Sequence, residues 1–396
     1  MAADEVNQGI EAMARSFVRL THSPHTDIAK IRFRDGRELQ VRLGSGDEDS
    51  ALREVAYDFD SKMIHIETLR GDQIEIDAED SEVGLRGRPV VYLDQCHWST
   101  LANSIFEPAL VKRREDLEAA QSLIALARAG KVILPMSSAH ALETMALHSS
   151  KRQNLACTVL DLSRGWQMRS PIRVRRHEIA EVLSSGFGTS SEATDAAVFS
   201  LSPGTMDTRE RTVRSRDLPP GLEVLHVRLT AFSAMYDVLM NPDRVEAPKL
   251  NGWYEQYNKV SQDPEFRNRT IKQKMIDGRA MAIADILLEA HAVAHSIGIV
   301  DSPRIGVELF ERMDDMPFLS LYGDVIGFRL ANRQKWEWND LVDMLFMGCA
   351  AAYANMVIAE RKATNYLSRA WGLREGPCPV VSNIPEAVDR LTSLRA

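Results

Sequence analysis

Ile28-Ala29-Lys30-Ile31-Arg32-Phe33-Arg34 and Glu38-Leu39-Gln40-Val41-Arg42-Leu43 alternate apolar and polar residues on either side of Asp35-Gly36. A period of two interrupted by Asp-Gly is the signature of a β-hairpin. Lys62-Met63-Ile64-His65-Ile66-Glu67 and Gln73-Ile74-Glu75-Ile76 repeat the pattern around Arg70-Gly71-Asp72. Together they predict a small antiparallel β domain over 26–86, with Arg70-Gly71-Asp72 read as a hairpin turn rather than an adhesion tripeptide. Ahead of it, Ile10, Met13, Phe17 and Leu20 fall at helical spacing and predict a short helix and tail over 1–25.

At Pro89 the pattern changes. Val90-Val91-Tyr92-Leu93 is a continuous apolar run, as expected of a strand covered on both faces in a parallel sheet. A helix is predicted from about Arg114 to Ala129, stopped by Gly130. Lys131-Val132-Ile133-Leu134-Pro135 reads as a second buried strand, followed by a helix from near Ser138. This alternation defines an α/β unit with a parallel sheet over 87–165. Residues 166–300 read as a helical insertion, with a flexible loop over 184–221 that is rich in Ser, Gly, Pro and charge. Within it, Ala280 to Ala294 is apolar, with Asp285 and Glu289 at i,i+4. The α/β pattern is expected to return over 301–375, through Met316-Pro317-Phe318, the helix Asn339–Asn355 and the short strand Val357-Ile358-Ala359. Residues 376–396 read as a C-terminal tail.

Composition narrows the function classes. With 396 residues, 44% hydrophobic and 26% charged, the chain has the balance of a globular protein of two or three domains. Its 48 Lys and Arg against 56 Asp and Glu give a net charge of −8, which argues against a protein that coats nucleic acid nonspecifically. A local basic groove remains compatible with that total. Four scattered cysteines form no C-x-x-C pair, so neither a zinc ribbon nor a disulfide framework is expected. No apolar run reaches membrane-spanning length and the first residues lack a signal-peptide pattern, so the expectation is a cytoplasmic protein with no membrane partner.

Functional groups gather at the C-terminal ends of parallel strands. Asp94 ends the first strand, where a charge is costly unless something requires it. A bound cation is one reason and capping the next helix is another. His140 and Glu143 lie three apart at the start of the helix after the second strand and share a face. Glu143 suits a metal ligand, and His140 a substrate contact or a support for the cluster; the plain alternative is a first-turn acid favoured by the helix dipole. Asp340 and Asp343 follow the expected N-cap Asn339, again three apart on one face. Two like charges there repel unless a cation or solvent intervenes. Carboxylates around Mg²⁺ or Mn²⁺ suit phosphodiester hydrolysis, because the metal activates water and polarises the phosphoryl oxygen.

The order and context of these pieces resemble PIN-like nuclease domains. Val90–Asp94 looks like the family's first strand and opening acid. Val132–Glu143 looks like the second strand and the helix with the second acid, and Asn339–Asp343 like the late helix with the third. The resemblance covers roughly 88–165 and 301–375. It implies an α/β PIN-like domain with a parallel sheet, a large helical insertion and the small N-terminal antiparallel β domain. It also implies an endoribonuclease in which Asp94, Glu143, Asp340 and Asp343 are the catalytic, metal-binding set, with Mg²⁺ or Mn²⁺ as cofactor. Where relatives carry a further acid this chain has the neutral Asn355, and Glu360 stands in as a metal ligand. His140, Arg329, Arg333, Trp336 and Arg361 are the expected substrate contacts, Arg clamping phosphate and Trp stacking a base.

RNA is thus expected ahead of DNA as the partner, with room for a homo-oligomer or a regulatory partner protein. By family analogy alone, a toxin or defence role fits. Asn355 motivates the alternative of a degenerate scaffold that binds RNA or protein without cutting, and a DNA nuclease is the third reading. Three other signals are set aside. Cys96-His97 lacks an orienting third group for a nucleophile. His177-Glu178-x-x-Glu181 departs from the zinc-helix motif, and Gly186-Phe187-Gly188 lacks the strand and lysine of a phosphate loop.

Overall fold

The computed structural model describes residues 12–42, 50–78, 84–189, 197–202, 204–208, 232, 235–240, 252–300, 302–332, 335–337, 340–373 and 378–393. Strands β1 (Phe17–Ser23), β2 (Ile28–Phe33), β3 (Glu38–Arg42), β4 (Leu52–Asp58), β5 (Met63–Thr68) and β6 (Gln73–Asp77) form an antiparallel sheet in the order β3-β2-β1-β4-β5-β6. Both expected hairpins are present, and their turns need the left-handed conformations of Gly36 (φ +86) and Gly71 (φ +88). The Arg70-Gly71-Asp72 turn is closed by the Thr68 N–H on the Asp72 carbonyl at 3.0 Å. Phe17 and Leu20, expected on a helix, lie instead in β1, which pairs with β2 on one side and β4 on the other. Ladder pairing on both sides overrides their i,i+3 spacing.

The second layer runs through β7 (Val91–Leu93), α1 (Gln95–Phe106), α2 (Arg114–Arg128), α3 (Ser138–Met145), α4 (Ser149–Ser163), β8 (Gln167–Met168), α5 (Pro171–Phe187) and β9 (Phe199–Ser200). Helices α6 (Trp253–Gln262), α7 (Pro264–Asn268), α8 (Ile271–Ser296), α9 (Arg304–Glu311) and α10 (Pro317–Ala331) follow. The last elements are α11 (Asp340–Tyr353), β10 (Met356–Ile358), α12 (Arg361–Trp371), β11 (Val380–Val381) and α13 (Ile384–Ser393). A parallel sheet forms in the order β11-β10-β7. The chain is therefore mixed α/β.

Four expectations are corrected here. The strand expected over 131–135 shrinks to a single parallel bridge between Ile133 and Val90. Pro135 and Pro89 lack the N–H groups that would extend the ladder. Residues 302–332 contain helices and no strand: α10 is buried from Phe318 to Leu330, wedged against α8. Their contact is close because a Cβ on Gly278 would sit 2.5 Å from Gly327 Cα. The expected tail over 376–396 supplies β11, paired to β10, and α13, whose Ile384, Ala387 and Leu391 enter the core. The loop expected over 184–221 begins later, since α5 runs to Phe187, and Phe199–Ser200 pairs with β8. Asn339 and Arg333 lie outside the described residues.

The two layers share an apolar core and are further tied together by one buried acid. Asp77, 5% exposed at the end of β6, accepts Arg164 Nε at 2.9 Å, Arg88 Nη1 at 3.0 Å and Trp166 Nε1 at 3.1 Å. Asp77→Ala would remove the buried carboxylate that pairs with both Arg88 and Arg164 and leave Arg164 with the more distant Glu75 at 3.6 Å, at a cost of about 3 kcal/mol. Urea denaturation is expected to show that loss, and an unchanged midpoint would contradict the role given to Asp77.

Candidate metal centre

β7 and β10 end side by side; Asp94 directly follows β7, and Glu360 follows β10 after Ala359. The Asp94 N–H donates to the Ile358 carbonyl at 2.8 Å, continuing the ladder one residue past β7. Asp94 then caps α1, its Oδ1 accepting the Gln95 N–H at 2.8 Å, while Oδ2 accepts the Glu360 N–H at 3.4 Å. The cap and the strand-end acid are thus one residue. Glu360 starts α12, and its side chain makes no capping hydrogen bond.

Glu143 arrives on α3, which is aimed by His140. The Ser137 N–H donates to His140 Nδ1 at 3.1 Å, so Nε2 carries the proton and donates to the Leu93 carbonyl at 2.8 Å. The ring stacks on Tyr92 at 5.0 Å, and burial pushes its pKa down to about 4. His140 is therefore a neutral positioning group, 2% exposed, rather than the expected substrate contact.

The Asp340/Asp343 pair splits. Asp340 accepts Arg329 Nη1 at 2.7 Å and the Glu337 N–H at 2.7 Å, with Arg329 Nη2 at 2.5 Å and Lys362 Nζ at 3.5 Å. Burial works against its charge, but these partners prevail and hold its carboxyl below the usual carboxylate range. Asp340, expected as a ligand, is an ion-pair partner. Arg329, expected at phosphate, is 4% exposed and lies over Trp336 at 4.3 Å. Trp336, expected to stack a base, is 0% exposed and packs against Trp253 and Tyr257. Arg361 is exposed at the start of α12, outside the cavity lining, which includes Lys362 instead.

Asp94, Glu143, Asp343 and Glu360 line one cavity of about 630 Å³. Withdrawal from water, followed by the charges of Asp94, Asp343 and Glu360, pushes Glu143 up to about 8. Burial and then the neighbouring acids, Asp94 foremost, raise Asp343 to about 7, and burial also raises Asp94. Cys96 joins the edge: its thiol and the carboxylates of Asp94 and Glu360 place ligand atoms within 4.8 Å of one another. Burial and the adjacent acids hold that thiol protonated, up to about 12, which removes the Cys–His nucleophile.

Asn355 sits at the opposite end of the sheet. Its Oδ1 accepts the Val90 N–H at 2.8 Å, so it fixes the start of β10 and contributes nothing to the carboxylate edge. Sequence reasoning missed Lys362 and the Arg329–Asp340 pair, and weighed Cys96 only as a nucleophile. Lys362 was within reach, two residues past an acid already placed at a strand end.

Comparison with protein-family models, curated proteins and solved structures returns no significant match. No helix among the described residues is long and apolar enough to cross a membrane.

A carboxyl whose pKa is raised by folding binds protons more readily folded than unfolded, so its ionisation weakens the fold. With Asp343 near 7 and Glu143 near 8, stability in EDTA should fall as pH rises from 5 to 8. Glu143→Gln should flatten that decline and raise Tm at pH 8. A wild-type Tm that climbs across the window, or an identical slope in the variant, would contradict the electrostatic account.

Proposed function

We propose that this chain is a PIN-like, Mg²⁺- or Mn²⁺-dependent endonuclease that hydrolyses RNA phosphodiesters at the β7/β10 edge. The observation that carries the reading is the convergence of Asp94, Glu143, Asp343 and Glu360 on one cavity from two parallel strands and two helices. Glu143 and Asp343, each raised by burial and then by the neighbouring acids, are costly to ionise there, and a divalent cation relieves that cost. Their oxygen donors are the type that hard divalent ions prefer; Asp94 and Glu360, whose ligand atoms lie within 4.8 Å of one another, would hold the ion, with Glu143 and Asp343 on the wall of the same cavity. A cation there would polarise the phosphoryl oxygen and favour in-line attack.

The remaining residues orient this edge. His140 ties α3 to the end of β7, and the Arg329–Asp340 pair anchors the first turn of α11, the turn that also carries Asp343. Lys362 supplies positive charge at the cavity wall for a phosphate. RNA rather than DNA rests on the resemblance to PIN-like nucleases. The scaffold alternative loses its motive, because Asn355 lies away from the acids.

Asp94→Asn tests the reading. It should weaken Mn²⁺ binding in calorimetry and lower RNA cleavage in Mn²⁺ by on the order of 100-fold. Undiminished cleavage would sink the assignment, and DNA of the same sequence assayed alongside decides the polymer.

A further inference from the structure

β3 bounds one side of the six-stranded sheet and, among the described residues, pairs with β2 alone. All five of its residues are exposed, including Leu39 at 48% and Val41 at 42%. Leu39 is the outer end of an apolar row that crosses every strand. It stands opposite Ile31, and the row continues through Leu20, Tyr57, Ile64 and Ile76. Residues paired across strands share a face of the sheet. Ile76, Ile64 and Tyr57 are buried, so the row starts in the core and comes into the open at β3.

The backbone of β3 has matching free groups. The Phe33 N–H donates to the Arg37 carbonyl at 2.9 Å. Residues of an antiparallel strand turn alternately to one neighbour and the other, so Leu39 and Val41 direct their backbone groups at β2. Glu38, Gln40 and Arg42 direct theirs at the open side. Edges that avoid partners commonly carry Lys, Pro or a bulge, and Glu38–Arg42 has none of these. Its two charges are instead of opposite sign and stand two positions either side of Gln40.

We propose that two copies of this chain associate edge to edge through β3, antiparallel and centred on Gln40, as a two-fold dimer with one continuous sheet. Glu38 of each copy then faces Arg42 of the other, Leu39 faces Val41, and Gln40 faces itself. All three residues with outward backbone groups are paired in this register. Within its own chain Arg42 stands opposite the apolar Ile28, so the acid across the axis is its first charged partner on the ladder. Moving the axis to Leu39 or Val41 sets Gln40 opposite a charge and leaves no ion pair. The apolar row, open at Leu39, continues into Val41 of the second copy.

Pairing of two five-residue strands covers little area, so the dimer should be weak, with a Kd on the order of 100 μM. Sedimentation equilibrium on the full chain should show the average mass rising from monomer towards dimer with concentration. Arg42→Glu and Glu38→Arg each set like charges against one another on both sides of the axis. Either substitution should weaken association about tenfold or more. An equal mixture of the two variants brings unlike charges back together at both positions, and should associate more tightly than either variant alone. Gln40→Pro removes the central outward N–H while sparing the ladder to β2, and should also leave a monomer. A wild-type chain still monomeric at about 1 mM would overturn the proposal. So would a dimer indifferent to Arg42→Glu and Gln40→Pro, or a mixture no tighter than its components.

Discussion

Three parallel residue pairs carry the rest of the structure: Val91 with Met356, Tyr92 with Val357, and Leu93 with Ile358. Asn355 sets their register by gripping both polar groups of Val90, its Oδ1 on the N–H and its own N–H on the carbonyl. A slip of one residue would turn every side chain of β10 to the other face and move Glu360 away from Asp94. The Leu93 carbonyl, at the end of the same strand, accepts from His140 and so aims the helix that brings Glu143. Strand pairing, histidine tautomer and acid placement are thus successive consequences of one ladder.

Helix α11 shows two fates for acids three residues apart. Asp340 is neutralised by Arg329 and becomes part of the scaffold, while Asp343 stays at the cavity with its proton affinity raised. A raised pKa does not by itself mark a site. Glu178, also pushed up to about 7 by burial, accepts the Phe318 and Leu319 N–H groups and the Tyr353 hydroxyl, and so ties α5 to α10 and α11. What separates the two acids is their neighbours: Glu178 is answered by donors, and Asp343 chiefly by other acids.

Much of this was legible in the sequence wherever a local rule governs. The Asp35-Gly36 and Gly71 turns, the apolar β7 and the acid that ends it follow from period and turn chemistry. So does α11 with both its acids. Long-range pairing was not legible. β1 looked helical because nothing local announces β2 and β4 as its neighbours, and β11 is two residues long. Arg329 and Trp336 were read as surface groups for substrate, since charge and aromaticity near acids suggest contact. Burial instead stacks one on the other and spends Arg329 on Asp340. Asn355 was read as a lost ligand because sequence order cannot say which end of a strand faces the acids.

Asp94 and Glu360 are 266 positions apart, yet they share one hydrogen bond and one cavity. During synthesis the N-terminal sheet has every strand it needs once β6 has emerged, whereas the acidic edge has no counterpart until β10 follows. The antiparallel ladder draws only on residues 17–77, so its partners are close in the chain, whereas the acidic edge joins segments far apart in it. Because closing so long a loop is slow, the edge is among the last parts of the fold to assemble. Until β10 has joined β7, Asp94 and Glu360 are not neighbours and no site exists between them.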